Sequence, residues 1–391
     1  MFAFYDMNKS FNMFTSLVEE FKKNSNDVYV VAPRQDEKAT AISREKGIDI
    51  LRVKTLPLKN VSNWEKGVSN LLLPYQYRKA INKFYPNVKF DLIVLPTPPI
   101  TLVNLAAFLK KRYRAKIYLM LRDIFPQNAI DLGFMKKDSF VYKYFRKKEK
   151  KLYQIADYIG CMSQGNIDYV LCHNPEILSS KMHELKNFQY VYQGFGFDRN
   201  FLREKYKLTG KFVLVFGGNM GKPQQLENVL ELAIRAMKYP DVLFLLLGEG
   251  TMMDRIASKI KELKITNIRI QNKIPKQEYQ DLINVCDVGI ISLHQDFTIP
   301  NIPSKTLDYF NVGLPVLASI DRATDYNTIL DDINAGLWSY AGEHDQFFKN
   351  FEIIYLNSEL RKQMGINGQN YHRTYLTPQV AYETVYKQIS K

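Results

Sequence analysis

Cysteine and histidine are scarce, and neither is arranged for metal or redox work. The chain has three cysteines, Cys161, Cys172 and Cys286, at spacings that suit neither a disulfide framework nor a metal site, and five scattered histidines. That excludes a disulfide scaffold and a zinc module, and it fits a reducing cytoplasm. No apolar run approaches the roughly 18 residues needed to span a bilayer. The start, MFAFYDMNKS, lacks the basic region and apolar core of a secretory signal. No repeat recurs at a period of 20–50 residues, which excludes a solenoid.

What is present is length, apolar content and positive charge. A chain of 391 residues with 46% hydrophobic side chains is long enough for two domains with real cores. The net charge of +14 is unevenly spread. Residues 1–200 carry 32 Lys and Arg against 19 Asp and Glu, whereas residues 201–391 carry 22 against 21. The excess is concentrated in residues 51–150, with 21 basic and 6 acidic side chains. One basic half and one nearly neutral half point to an anionic partner, a membrane surface or a nucleic acid. No recognised nucleic-acid module accompanies the charge, so an anionic bilayer is the partner expected. Two aromatic–basic segments, 136–153 (KKDSFVYKYFRKKEKKLY) and Trp64 to Phe84, have the composition of helices that lie on such a surface.

Periodicity gives an α/β pattern in both halves. In the first, Phe2–Tyr5 reads as the end of a strand, Asn8–Lys23 as a helix, and Asp27–Pro33, Ile48–Val53, Phe90–Leu95, Lys116–Leu121 and Ala156–Met162 as strands. The stretch QGFGFDRN, 193–200, reads as a linker. In the second half, Phe212–Phe216, Val242–Leu247, Ile268–Ile270, Val288–Leu293 and Pro315–Ser319 read as strands separated by helices. Apolar runs alternating with helices indicate a parallel sheet.

Ligands bind open parallel sheets at the carboxyl ends of the strands. Five suggestive segments fall there in the second half. Gly217, Gly218 and Asn219 lead to Lys222, but the spacing and Pro223 exclude a phosphate-binding P-loop, and no GxGxxG is present. Gly248-Glu249-Gly250, Gln271–Pro275 and His294-Gln295-Asp296 are the next three. The fifth is 297–319, where Pro300 and Pro303 hold an extended approach to Ser304. Ser304 is expected to cap a helix opened by Lys305 and Thr306 and stopped by Gly313. Amides, hydroxyls and an ammonium at one helix start make an anion site suited to a phosphate or diphosphate. Asp308 lies one turn further, on the same face.

The segments FGGNMGKPQQLENVLE, LLGEG, NKIPKQEYQDLINVCDVGIISL and IPNIPSKTLDYFNVGLPVLAS together resemble the nucleotide-binding half of glycosyltransferase family 4, which has the GT-B fold. LRDIFPQ at 121–127 and LPTPP at 95–99 resemble segments of its bacterial capsule, exopolysaccharide and O-antigen transferases. The resemblance implies two Rossmann-like, doubly wound domains facing a central cleft. The expected division is residues 1–195 for the acceptor and membrane, and 196–375 for the nucleotide-sugar, with 376–391 a helix able to pack back on the first. It also implies a retaining transfer without a metal, from a UDP-sugar donor in the leading case, to a polyprenyl-diphosphate-linked or glycan acceptor. An N-acetylated hexosamine is one candidate sugar. The enzyme would work in the cytoplasm, on the inner face of the membrane.

Carried over by resemblance, Gly217, Gly218, Asn219 and Lys222 would face the donor phosphates and sugar, with Glu249 beside them. Ser304, Lys305 and Thr306 would hold the diphosphate, Asp308 the ribose, and Lys273 with Ile274 the base. Asp123 is the candidate for orienting acceptor or sugar, and Arg122 for a charge contact. A helix N-cap is the structural alternative for Asp123. Three departures stand out. Pro300 occupies the place of the family's first acidic residue, Arg122 stands where many members have histidine, and FAFYDMNKSF lacks the glycine-rich loop expected after the first strand. Either this subfamily does without that loop or the chain begins upstream of Met1. A non-hydrolysing sugar-nucleotide 2-epimerase and a basic nucleic-acid-binding or membrane-binding protein are the competing readings.

Overall fold

The computed structural model describes residues 7, 12–34, 38–58, 63–194 and 198–390, apart from the side chains of residues 63, 64 and 66. The expected strand Phe2–Tyr5 and the middle of the 193–200 linker lie outside the described residues. The chain divides into two units, Met1–Gln189 with Pro378–Lys391, and Tyr190–Thr377.

The first unit opens with α1 (Met13–Lys23), capped by Asn12, whose side chain accepts the amides of Phe14 and Thr15. Strands β1 (Tyr29–Arg34), β2 (Ala41–Glu45) and β3 (Ile48–Lys54) form one sheet, in the order β1-β3-β2. β2 runs antiparallel to β3 through a tight turn at Lys46-Gly47, both with positive φ, as the hairpin twist requires. Strands β4 (Leu92–Pro96), β5 (Lys116–Leu121), β6 (Tyr158–Cys161) and β7 (Met182–Glu184) form a second, wholly parallel sheet in sequence order. Between them run α2 (Asn63–Phe84), α3 (Val103–Tyr113), α4 (Gln127–Asp131), α5 (Phe140–Ile155) and α6 (Gln164–His173).

A buried ion pair ties β2 to β3. Arg52 Nη2 lies 2.6 Å from Glu45 Oε2, with both side chains about one-tenth exposed. Burial alone would raise the Glu45 carboxyl. The bonds from Arg52, the Met7 amide and Ser43 outweigh it and hold Glu45 below its usual value of 4.5. The pair therefore stabilises the fold above about pH 4.5, and that contribution is lost as pH falls through the lower folded value. Arg52→Ala leaves a buried, unpaired carboxylate and is expected to cost roughly 3–5 kcal/mol in urea unfolding at pH 7. The loss should shrink in acid.

The second unit starts with α7 (Arg199–Lys205) and is built on a six-stranded parallel sheet. Its strands are β8 (Phe212–Asn219), β9 (Val242–Glu249), β10 (Ile268–Asn272), β11 (Val288–Ser292), β12 (Val316–Ile320) and β13 (Gly336–Tyr340). The order β10-β9-β8-β11-β12-β13 makes β8 and β11 the central pair. Helices α8 (Glu227–Ala236), α9 (Met253–Glu262), α10 (Lys276–Ile283), α11 (Lys305–Val312), α12 (Tyr326–Ile333), α13 (His344–Leu356) and α14 (Ser358–Tyr375) cover it. Successive β8 side chains feed opposite layers. Val213 and Val215 pack with Leu245, Ile291 and Phe310, while Leu214 and Phe216 pack with Phe244, Ile290 and Phe351. Burying each such side chain is worth about 1.5–3 kcal/mol, which fixes the strands and leaves their carboxyl ends free to vary.

The units divide before Tyr190, earlier than 195/196. Asn311 of α11 accepts the Tyr192 amide and donates to Tyr190 O, both at 2.8 Å, which draws that segment into the second unit. The last helix, α15 (Pro378–Ile389), belongs to the first unit, where Ala381, Tyr382 and Val385 pack with Leu17, Phe21 and Tyr118.

Candidate functional site

The five strand-end segments of the second unit meet at one edge of its sheet. Gly218 pairs with Gly248, Asn219 with Glu249, and Asn272 with Gly248. A Cβ at Gly248 would lie 1.7 Å from Gly218 O, so only glycine lets these backbones approach. The loop at 221–225 is tied to β11 and the segment after it. Ser292 Oγ donates to Gln225 O (3.1 Å), the Gln295 amide to Gln225 Oε1 (2.8 Å) and the His294 amide to Pro223 O (2.9 Å). Asn219 Nδ2 and the Gly221 amide both donate to Gln224 Oε1, at 3.0 Å, which closes the turn. Lys222 opens that turn with its side chain exposed.

Helix α11 supplies the cation. Lys305 Nζ sits 4.5 Å from the centre of the Phe216 ring, and a Cβ at Gly218 would touch Lys305 Cε at 3.4 Å. Among the described residues the ammonium has no hydrogen-bond acceptor and no paired carboxylate. Burial pushes it down to about 8, against the pull of Asp308. Asp308 itself pairs with Lys276 of α10, a residue the sequence pattern did not single out. Glu249 and Lys273 form an exposed pair at 3.1 Å on the neighbouring strand ends. Ile274 is half-buried against the core.

Two expectations for α11 are corrected. Ser304 is the residue before the helix, but its backbone is already helical (φ −64°, ψ −20°) and its hydroxyl makes no capping bond. Thr306 turns inward, donating its hydroxyl to Tyr326 at 2.8 Å in the core, and its amide is bonded to Pro303 O. What the helix start offers an anion is therefore the amides of Ser304 and Lys305, which have no intrachain acceptor among the described residues, and the Lys305 ammonium. Gly313 ends the helix in the left-handed conformation, as expected.

In the first unit, LPTPP and LRDIFPQ come together. The Thr97 hydroxyl accepts the amides of Arg122 (3.1 Å) and Asp123 (3.4 Å) at the end of β5. Asp123 does not cap a helix, because Pro126 intervenes before α4 begins at Gln127. Burial raises its carboxyl to about 6, with a hydrogen bond to Asn128 opposing. Arg122 points away from Asp123. Its Nη1 donates to Leu185 O (2.7 Å) and Asn187 Oδ1 (3.2 Å), and burial lowers it to about 10. Through Nη1 the arginine thus braces the segment after β7, while its buried Nε and Nη2 have no hydrogen-bond partner among the described residues. Among the described residues no three His, Cys, Asp or Glu side chains cluster as a metal site.

Two α/β units built on largely parallel sheets give the chain the GT-B fold. Residues 198–371, within the second unit, match the family described as glycosyl transferases group 1. The probable glycosyltransferase WbjE of Pseudomonas aeruginosa is 24% identical over 261 residues, 63% of this chain and 61% of that protein. The matched chain thus spans about six-tenths of that relative's length. Among solved structures, WaaG, a glycosyltransferase involved in lipopolysaccharide biosynthesis, superposes with TM-score 0.70 at 14% identity, covering 98% of each chain. Anabaena HepE, solved with UDP and glucose, gives 0.70 at 13% identity, covering 100% of this chain and 99% of its own.

Proposed function

We propose that this chain transfers a sugar from a nucleotide-sugar, with UDP as the leading nucleotide, to a lipid-linked or glycan acceptor in surface polysaccharide synthesis. The observation that carries the reading is Lys305, an enclosed ammonium with no counter-charge in contact among the described residues, poised over Gly218 beside two open amides. A half-buried cation left in this state is stabilised by an anion arriving from outside. One ammonium and two amide donors suit a diphosphate, an anion that accepts several hydrogen bonds. The complexes of HepE with UDP and glucose and the lipopolysaccharide role of WaaG support the choice of donor and pathway.

As the glycosidic bond breaks, negative charge grows on the departing diphosphate. Preorganised amides and the Lys305 ammonium neutralise it, with Lys222 at the mouth of the loop as a second cation. The transfer is proposed to retain configuration, with a donor phosphate oxygen taking the acceptor proton, so that no protein nucleophile and no metal is required. Asp308, held by Lys276, is assigned to accepting hydrogen bonds from ribose hydroxyls, and Ile274 with Lys273 to bordering the base. Asp123 is assigned to orienting the acceptor or the sugar. A thermal-shift panel with UDP, GDP and NAD tests the reading. Stabilisation by UDP or GDP and none by NAD supports it, and no response to any nucleotide refutes it.

The acceptor side is proposed to rest on an anionic bilayer. No helix among the described residues is long and apolar enough to cross a membrane. However, α5 and the turn before it expose Phe134 (70%), Phe140 (93%) and Val141 (54%) among Lys136, Lys137 and Lys143. Leu71 and Tyr75 of α2 are exposed in the same way. Apolar tips flanked by lysines suit an interface of anionic headgroups, each cation adding about 1 kcal/mol. Sedimentation should show binding to anionic vesicles that weakens with salt. Equal binding to neutral vesicles contradicts the assignment.

A further inference from the structure

The two central strands of the second unit stay paired only briefly. β8 pairs with β9 from Phe212 to Asn219, but with β11 only at Leu214–Val288 and Val215–Gly289. Where that ladder stops, the fully buried Tyr309 of α11 enters the gap. Its hydroxyl accepts the Gly217 amide at 3.1 Å and faces Val215 O (3.1 Å) on β8 and Ile290 O (3.2 Å) on β11. Gly289 makes the room, since a Cβ there would lie 2.5 Å from the ring. Lys305 precedes Tyr309 by one helical turn on the same face of α11. The helix therefore holds the end of β8 at two adjacent points, Gly217 through the hydroxyl and Gly218 beside the lysine chain.

We propose that Tyr309 is a positioning residue of the donor site. Its hydroxyl replaces a ladder hydrogen bond between β8 and β11, fixes the Phe216–Gly217 peptide, and so sets the distance between the Gly218 backbone that follows and the Lys305 ammonium. The inference rests on the donor reading above for its consequence, though not for its geometry. A phenol bridging two strands is a fixed spacer. A water in the same place would exchange and let the strand end move, and a strand carbonyl would close the edge.

Amide hydrogen exchange and UDP titration together test this. In the wild type the Gly217 amide is expected to exchange slowly although no strand carbonyl meets it. In Tyr309→Phe, which keeps the ring, that protection should vanish and the Kd for UDP should rise about tenfold. Tyr153→Phe in the first unit provides the matched control, because it removes an equally buried hydroxyl, bonded to Glu149 Oε1 at 2.9 Å. It should lower stability and leave the UDP Kd unchanged. Three results overturn the inference: unprotected Gly217 in the wild type, a wild-type Kd in Tyr309→Phe, or an equal loss of affinity in Tyr153→Phe. The wild-type exchange measurement decides the matter even if Tyr309→Phe does not fold. A wild type that binds no UDP overturns the donor reading, and exchange at Gly217 still decides whether the hydroxyl holds that peptide.

Discussion

Replacing Lys305 with alanine is expected to lower kcat/KM by on the order of 10²–10³-fold, the scale of one lost charge-stabilising donor in a preorganised site. In the proposed site the ammonium meets the charge that develops on a leaving diphosphate, and among the described residues no carboxylate pairs with it. Its pKa of about 8 adds a pH signature. An arriving phosphate favours the charged lysine, so binding takes up a proton above about pH 8, and UDP affinity should fall as pH rises beyond that point. The alanine variant should lose this alkaline limb. Stability moves the other way. A lysine whose folded pKa lies below its unfolded 10.5 weakens the fold, fully so below about pH 8, and the cost disappears as pH approaches 10.5. Lys305→Met, which keeps an apolar chain of similar length, should therefore unfold with greater stability at pH 7, by on the order of 2–3 kcal/mol. A protein that retains a destabilising, half-buried cation is expected to use it.

The same reasoning applies to Asp123, with opposite charge. Asp123→Asn is expected to reduce kcat on the order of 10²-fold, at the low end for a lost acid–base or orienting carboxylate. Burial holds the carboxyl at about 6, so the wild-type rate should fall below pH 6 as the group protonates, and the variant should lose that acid limb. The raised folded pKa means the folded state binds the proton more tightly than the unfolded one. Stability is then lost as pH climbs from 3.8 through 6, and Asn should recover part of it at pH 7. A pH–rate profile of both proteins, with unfolding curves at pH 5 and pH 8, checks the two halves together. An unchanged acid limb in Asp123→Asn contradicts the assignment.

How far the sequence carried these conclusions depends on what each residue answers to. The sheet of the second unit was legible because the runs FVLVF of β8, VLFLLL of β9 and VGII of β11 are buried on both faces and so must be apolar. The stop at Gly313 was legible because a left-handed helix end favours glycine. The β2–β3 hairpin was not, since Lys46-Gly47 is a weaker signal than Asn-Gly for the turn it makes. Residues 321–377, with α12, β13, α13 and α14, were not assigned, although they complete the layers over the sheet. Site residues divided in the same way. Lys305 could be placed from the helix start, but the inward turn of Thr306 follows from where Tyr326 lies, twenty residues on. Arg122 and Asp123 are adjacent in sequence and diverge because successive positions at a strand end point to opposite sides. Lys276 and Tyr309 matter through partners distant in the chain, Asp308 and Gly217, and no local spacing reports such contacts.

The central claim is that an enclosed lysine and two open amides at the start of α11 receive a diphosphate. Calorimetric titration of UDP into the wild type and Lys305→Ala at pH 7, with both proteins shown to be folded, tests it most directly. The account predicts saturable binding in the wild type and affinity at least tenfold weaker in the variant. Equal affinity in the two proteins, or no nucleotide binding by the wild type, would contradict it.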